Sequence, residues 1–260
     1  MDFPLSVSFD EIFSQLALSN PGEKPISPRK VLFWGERTGE IASYVAGWLA
    51  GEGIEVVVLD GANRFNPYMA SSFARKAFIP PESLLKSIRI ARAFTCYQMA
   101  MMVGKRLNDL LSQGGAIAQP ERRWIILLGL INTFLDEDVS EREIRPLFEK
   151  SLRKIEEMAL RGVPFFLFQS SDFNSPFPQG GRGRPKPDYG SGRVGGFMNS
   201  KRTYLTKRLF QFANEVWRID LDDEGPKMIL EKGARMVSHC EHSEAISKDR
   251  FVALKLRDSS

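Results

Sequence analysis

The sequence predicts an α/β domain in which helices cover a mostly parallel central sheet. Three observations predict it. Five apolar runs of strand length recur along the chain: VLFWG, IEVVVLD, IRIARAF, WIILLGL and VPFFLFQ. Segments with apolar residues at helical spacing separate them. The runs are largely continuous rather than alternating in polarity, as in strands covered on both faces. Strands that alternate with helices in this way form βαβ units with parallel pairing.

In chain order, residues 6–18, SVSFDEIFSQLAL, read as a short amphipathic helix, and a Pro/Gly/Ser linker runs to about Arg29. Residues 1–29 thus form a lead-in to the domain. A strand over 31–35 feeds a helix over 40–51, with Ile41, Val45, Trp48 and Leu49 on one face. The second strand covers 54–60. A helix then starts at Pro67, where proline suits a first helical position. The third strand, 88–94, leads into a helix from Thr95 to about Ser112, in which Tyr97, Met99, Met101 and Met102 read as a core-facing segment. A fourth strand covers 124–130, and Asp136-Glu137-Asp138 precedes a helix over 140–162 whose positive end those acids suit. Gly162 closes that helix, and the fifth strand is 163–169. A further helix and strand follow 200, and 227–232 is the other arm of a hairpin with 215–221. Trp34 and Trp48 read as core anchors. The domain proper is 30–233.

Composition limits the function classes. The chain has 260 residues, 43% apolar and 26% charged, enough to bury a core. Its longest apolar run, WIILLGLI, is far short of the ~20 residues a membrane helix needs. The N-terminus carries an early acid and no basic start, so neither a secretory signal nor a membrane association is expected. Cys96 and Cys240 offer no disulfide framework, and the expected compartment is the reducing cytoplasm. Residues 234–260 resemble the peptide read from interspersed palindromic repeats in bacterial genomes (HCE…EAISKD). His239, Cys240 and His242 then came with that repeat, no metal site is expected, and the tail is expected to be disordered.

The charge is unevenly spread. Net charge is +4, yet Ser170–Arg208 holds eight basic residues against Asp172 and Asp188. They are Arg182, Arg184, Lys186, Arg193, Lys201, Arg202, Lys207 and Arg208. Residues 170–200 are rich in Gly, Pro, Ser and Arg, which cannot bury much and predict a long loop. Arg and Lys there can pair phosphates, while Phe173, Phe177, Tyr189 and Phe197 can stack on unpaired bases. Arg182, Arg184, Lys186, Arg193, Lys201 and Arg202 are the candidate DNA-binding residues.

The turn after the first strand, Gly35-Glu36-Arg37-Thr38-Gly39-Glu40-Ile41, lies where a phosphate-binding loop would. Such a loop needs glycines for backbone N–H contact, a lysine for the phosphates and a hydroxyl for Mg²⁺. Glu40 stands for the lysine and Ile41 for the hydroxyl. A carboxylate ~4 Å from a phosphate charge repels it by about 4 kcal/mol at an intermediate dielectric.

Five segments in order resemble the RecA/RadA-type recombinases, over residues 30–232. The family's loop commonly reads Gly-Glu-x-Arg-Thr-Gly-Lys-Thr, and GE-RTG-EI follows it with one deletion and two substitutions. Asp60-Gly61-Ala62-Asn63-Arg64-Phe65-Asn66-Pro67 is similar to Asp-Thr-Glu-Gly-x-Phe-x-Pro. Ala91-Arg92-Ala93 matches Ala-Arg-Ala, and Phe168-Gln169 matches the end of the fifth strand. The resemblance implies a RecA-like, P-loop NTPase-type three-layer sandwich with a C-terminal antiparallel hairpin. It also implies that the catalytic glutamate falls on Ala62, the Walker B aspartate on Gly129, and a nucleotide-sensing glutamine on Gln169.

With those groups replaced, hydrolysis is not expected, and no cofactor, ATP included, is expected. The leading expectation is a catalytically inactive RecA-like accessory factor in recombination or repair, partnered by single-stranded DNA or a recombinase. One alternative is an adaptor or inhibitor that binds protein alone, with residues 6–18 as docking element and self-association open. Another is an ATP-binding protein with a non-standard site, in which Asp60 or Glu40 supplies the oxygen for Mg²⁺.

Overall fold

The structure, a computed structural model, describes residues 30–112, 123–135, 138–170, 195–222 and 225–233. The expected N-terminal helix, the linker, most of the basic loop, Asp136, Glu137 and the tail lie outside the described residues.

β1 (Lys30–Gly35), β2 (Glu55–Asp60), β3 (Ile88–Arg92), β4 (Arg123–Leu128), β5 (Phe165–Ser170), β6 (Glu215–Asp222) and β7 (Gly225–Lys232) make one seven-stranded sheet in the order β3-β2-β4-β5-β1-β6-β7. Every neighbouring pair is parallel except β6 with β7, which is antiparallel. The expected α/β class, the parallel sheet and the C-terminal hairpin are therefore present. β1 is interior because VLFW is apolar on both sides of the pleat: Val31 and Phe33 face one helical layer, Leu32 and Trp34 the other.

Helices cover both faces. On the Val31 side lie α1 (Thr38–Gly51), α2 (Pro67–Lys76) and α3 (Pro81–Lys86). On the Leu32 side lie α4 (Cys96–Met101), α5 (Leu107–Ser112), α6 (Glu141–Leu160) and α7 (Gly195–Phe212). A π-helical stretch, Met102–Arg106, joins α4 to α5, so the helix expected from Thr95 to Ser112 runs its full course with one bulge. Thr95 caps it, its Oγ1 accepting from the Gln98 amide at 3.2 Å. The short helix α3 has no counterpart in the sequence reading. Its two prolines, Pro80 and Pro81, start it.

Two expectations need correcting. α7 begins at Gly195, so the last residues of the stretch read as loop are helical. Tyr97 and Met101 do not face the core; they are 52% and 43% exposed, while Met99 and Met102 are buried. Positions 97 and 101 are one helical turn apart and share a face that is about half exposed.

α1 and α2 pack closely because α1 carries small residues every fourth position: Gly39, Ser43, Gly47 and Gly51. A Cβ on Gly47 would stand 2.9 Å from the Ala70 Cα, and one on Gly51 2.8 Å from the Phe73 ring. The Ser43 hydroxyl, fully buried, donates to the Gly39 carbonyl at 2.6 Å and accepts from the Asn66 amide at 2.8 Å. Among the described residues, no helix is long and apolar enough to cross a membrane.

Candidate functional site

Parallel sheets of this kind carry ligands at the carboxyl ends of their strands. Here those ends bring together the Gly35–Ile41 turn after β1, the 60–66 turn after β2, Gly129 after β4 and Gln169 in β5. The fifth segment singled out in the sequence, Ala91-Arg92-Ala93, lies at the same edge, where β3 ends at Arg92.

The β1 turn is short. Gly35 has φ +143°, and a Cβ there would meet the Ile219 carbonyl oxygen at 2.1 Å, so only glycine fits against β6. Glu36 is exposed and its amide donates to the same Ile219 oxygen at 3.4 Å. Arg37 takes a left-handed conformation, φ 51°, and α1 starts directly at the buried Thr38. Glu40, expected to aim its carboxylate at the phosphate position, instead accepts from the Arg37 guanidinium one turn back. That contact raises the Arg37 pKa through hydrogen bonding and charge. Ile41, at the position of the magnesium hydroxyl, is 8% exposed and packs in the core with Val45 and Phe65.

The β2 turn crosses this helix end. A Cβ on Gly39 would stand 2.8 Å from the Arg64 Cβ and 2.9 Å from its carbonyl oxygen. A side chain organises the turn: the Asp60 carboxylate, 0% exposed, accepts from the amides of Ala62 (3.1 Å), Arg64 (3.2 Å) and Phe65 (2.9 Å). The Arg92 guanidinium lies 3.7 Å from its other side. Three backbone donors and a cation satisfy a carboxylate that burial alone would strongly disfavour. Asp60, expected in one alternative to supply an oxygen for Mg²⁺, instead organises this turn. Its signal was the Asp followed by Gly, Ala and Asn, a local turn pattern.

Ala62 and Gly129, the two positions where the resemblance implied a loss of acids, are in contact. A Cβ on Gly129 would lie 2.4 Å from the Ala62 Cβ, and Gly129 has φ +64°. A Cβ on Gly61 would likewise lie 2.8 Å from the Gly129 carbonyl oxygen. The Gly129 amide donates to the Phe168 carbonyl at 2.7 Å and that of Gly61 to Leu128 at 2.8 Å, which draws the ends of β2, β4 and β5 together.

Gln169 is 3% exposed, and the fold occupies both ends of its amide. Its Oε1 accepts from the Ile131 amide at 3.2 Å and its Nε2 donates to Asn132 Oδ1 at 2.9 Å. It pins the 3₁₀ turn Ile131–Phe134 that follows β4. Asn132, its partner, carried no sequence signal.

Beyond Ser170 the chain enters the basic stretch. Arg182, Arg184, Lys186 and Arg193 lie outside the described residues, and Lys201 and Arg202 fall within α7. The end of the stretch is described. Arg208 donates from Nε and an NH₂ group to Glu149 at 2.8 and 3.0 Å, and the Tyr204 hydroxyl donates to the same carboxylate at 2.9 Å. Burial pushes Glu149 up, but these donors outweigh it and hold the carboxyl below its usual range. Arg208 therefore serves the α6–α7 contact.

Among the described residues, no three His, Cys, Asp or Glu side chains gather as a metal ion would require. A scan against known protein families finds no match for the chain, and no curated protein matches it.

Proposed function

We propose that the protein is a non-hydrolysing RecA-like accessory factor that binds single-stranded DNA through residues 172–202 in recombination or repair. One observation carries the reading: Ala62 and Gly129, where the resembled family places its two acids, lie in contact, while β5 runs on from Gln169 directly into the cationic stretch. Arg37 engages one oxygen of Glu40, and backbone amides engage both oxygens of Asp60. Phosphoryl transfer rests on such positioned charges. The strand-end placement of the resembling segments supports the RecA-like assignment, and the +6 of Ser170–Arg208 supports a polyanionic partner.

The test is a titration of labelled single-stranded DNA with the full chain at two salt concentrations, with and without ATP-Mg²⁺. Binding that weakens with salt and ignores ATP is expected. Absence of DNA binding at low salt, or a measured ATP turnover, overturns the reading.

A second reading, a protein-binding adaptor without DNA affinity, is favoured by the Arg208–Glu149 pair, which engages one cation of the stretch within the domain. Retention of a protein partner by a chain that binds no DNA would select it.

A further inference from the structure

The sheet ends at β3, whose outer edge pairs with no strand among the described residues. Open edges invite non-native pairing, and proteins cover or charge them. Around this edge the surface is unusually apolar: Ile90, Phe94, Tyr97 and Met101 are 42%, 67%, 52% and 43% exposed. Behind them, between β3 and the α4–α5 helix, lies a groove of about 230 Å³ floored by Val57, Ala91, Met102, Leu107 and Leu110. An apolar cavity of ~150 Å³ already accepts a benzene ring, so this one has room for an aromatic side chain. Its rim is cationic. Arg89 and Arg106 line it and Lys105 is exposed nearby, while Arg92 pairs with Asp60 and Glu55 is shared between Arg89 and Arg123. Asp109 is the acid on the α5 side.

The chain itself contains a segment of matching chemistry. Residues 6–18 place Phe9, Ile12, Phe13 and Leu16 at i, i+3, i+4 and i+7, the anchor spacing of a helix laid in a groove. The chain before Lys24 carries Asp2, Asp10, Glu11 and Glu23 and no lysine or arginine. Its acidity complements the rim. The linker reaches: from β1 to β3 is four strand spacings, roughly 19 Å, and the residues from Ser19 to Arg29 span up to about 36 Å extended. A linker this short holds the segment at an effective concentration in the millimolar range, which favours its own groove over a second copy's.

We infer that residues 6–18 dock as a helix in the groove beside β3 of the same chain, with Phe9 and Phe13 as anchors, and cap the open sheet edge. The inference is independent of DNA binding. It is tested by amide hydrogen exchange of the full chain, followed by mass spectrometry at two protein concentrations a hundredfold apart. Phe13→Asp is expected to raise exchange in peptides covering residues 88–101 about tenfold at both concentrations, leaving residues 123–170 unchanged. Met101→Asp, at an exposed position, is expected to do the same and to free residues 6–18. Unchanged exchange over 88–101 in both variants overturns the inference. So does protection that disappears on dilution, which would assign the groove to a second copy.

Discussion

A β-carbon placed on Gly129 would stand 2.4 Å from the β-carbon of Ala62, closer than any relaxed pair of carbons. Gly129 also sits at φ +64°, where side chains other than glycine are strained. Side chains at both positions 62 and 129 would compete for the same space. Restoring an acid at one of them is therefore a steric experiment before it is a catalytic one.

Gly129→Asp should lower the stability of the chain by about 2–4 kcal/mol, from backbone strain and the clash with Ala62. It should bring no ATP turnover. Urea denaturation checks the first claim and a phosphate-release assay the second; a fully stable variant would mean that β2 and β4 can separate.

Gln169→Leu should cost about 2–3 kcal/mol, because the Ile131 amide and the Asn132 side chain lose their buried partner. A thermal melt measures it. If Gln169 acts only in sensing nucleotide, the melting temperature will stay where it was.

Asp60→Ala should be more damaging than Asp60→Asn. The alanine leaves the amides of Ala62, Arg64 and Phe65 without their acceptor and Arg92 without its charge partner. The asparagine keeps one acceptor oxygen. Equal stabilities for the two variants would remove the carboxylate from its organising role.

Replacing Arg182, Arg184, Lys186 and Arg193 with alanine should abolish most single-stranded DNA binding. It should also flatten the dependence of log affinity on log salt by about 3, from ~0.7 per phosphate neutralised. An unaltered slope, measured by fluorescence anisotropy, would place the contacts elsewhere.

Glu149→Gln should destabilise the protein by about 1–2 kcal/mol at neutral pH, since Arg208 and Tyr204 lose a charged acceptor. The folded-state pKa of Glu149 is lowered, so its contribution is present in full above the ordinary carboxylate range and is lost as pH falls through the folded value. The gap between parent and variant should then close under acid. Melting temperatures across a pH series will show it.

The sequence by itself determined the order and type of the elements apart from the short helix α3 and the first turn of α7. The apolar runs of β1, β2, β4 and β5 and the spacing of Ile41, Val45 and Leu49 in α1 are local patterns, and a local pattern declares its own secondary structure. The glycine turns and the cationic stretch after β5 were legible for the same reason. The close seat of α2 on α1, along Gly39, Ser43, Gly47 and Gly51, emerged only from the fold. Only the tertiary structure decided which groups meet across the strand ends. That Glu40 turns to Arg37 and that Asp60 gathers three amides are contacts within five residues of chain, whereas that Gln169 reaches Ile131 and Asn132, and that Tyr97 and Met101 face outward, are outcomes of how the layers stack. Periodicity says that a helix has an apolar face; which residues that face leaves uncovered depends on the width of the neighbours laid against it. The contact of Gly129 with Ala62 joins residues 67 positions apart in the chain, and it exists because hydrogen bonds between parallel strands draw their ends together in space.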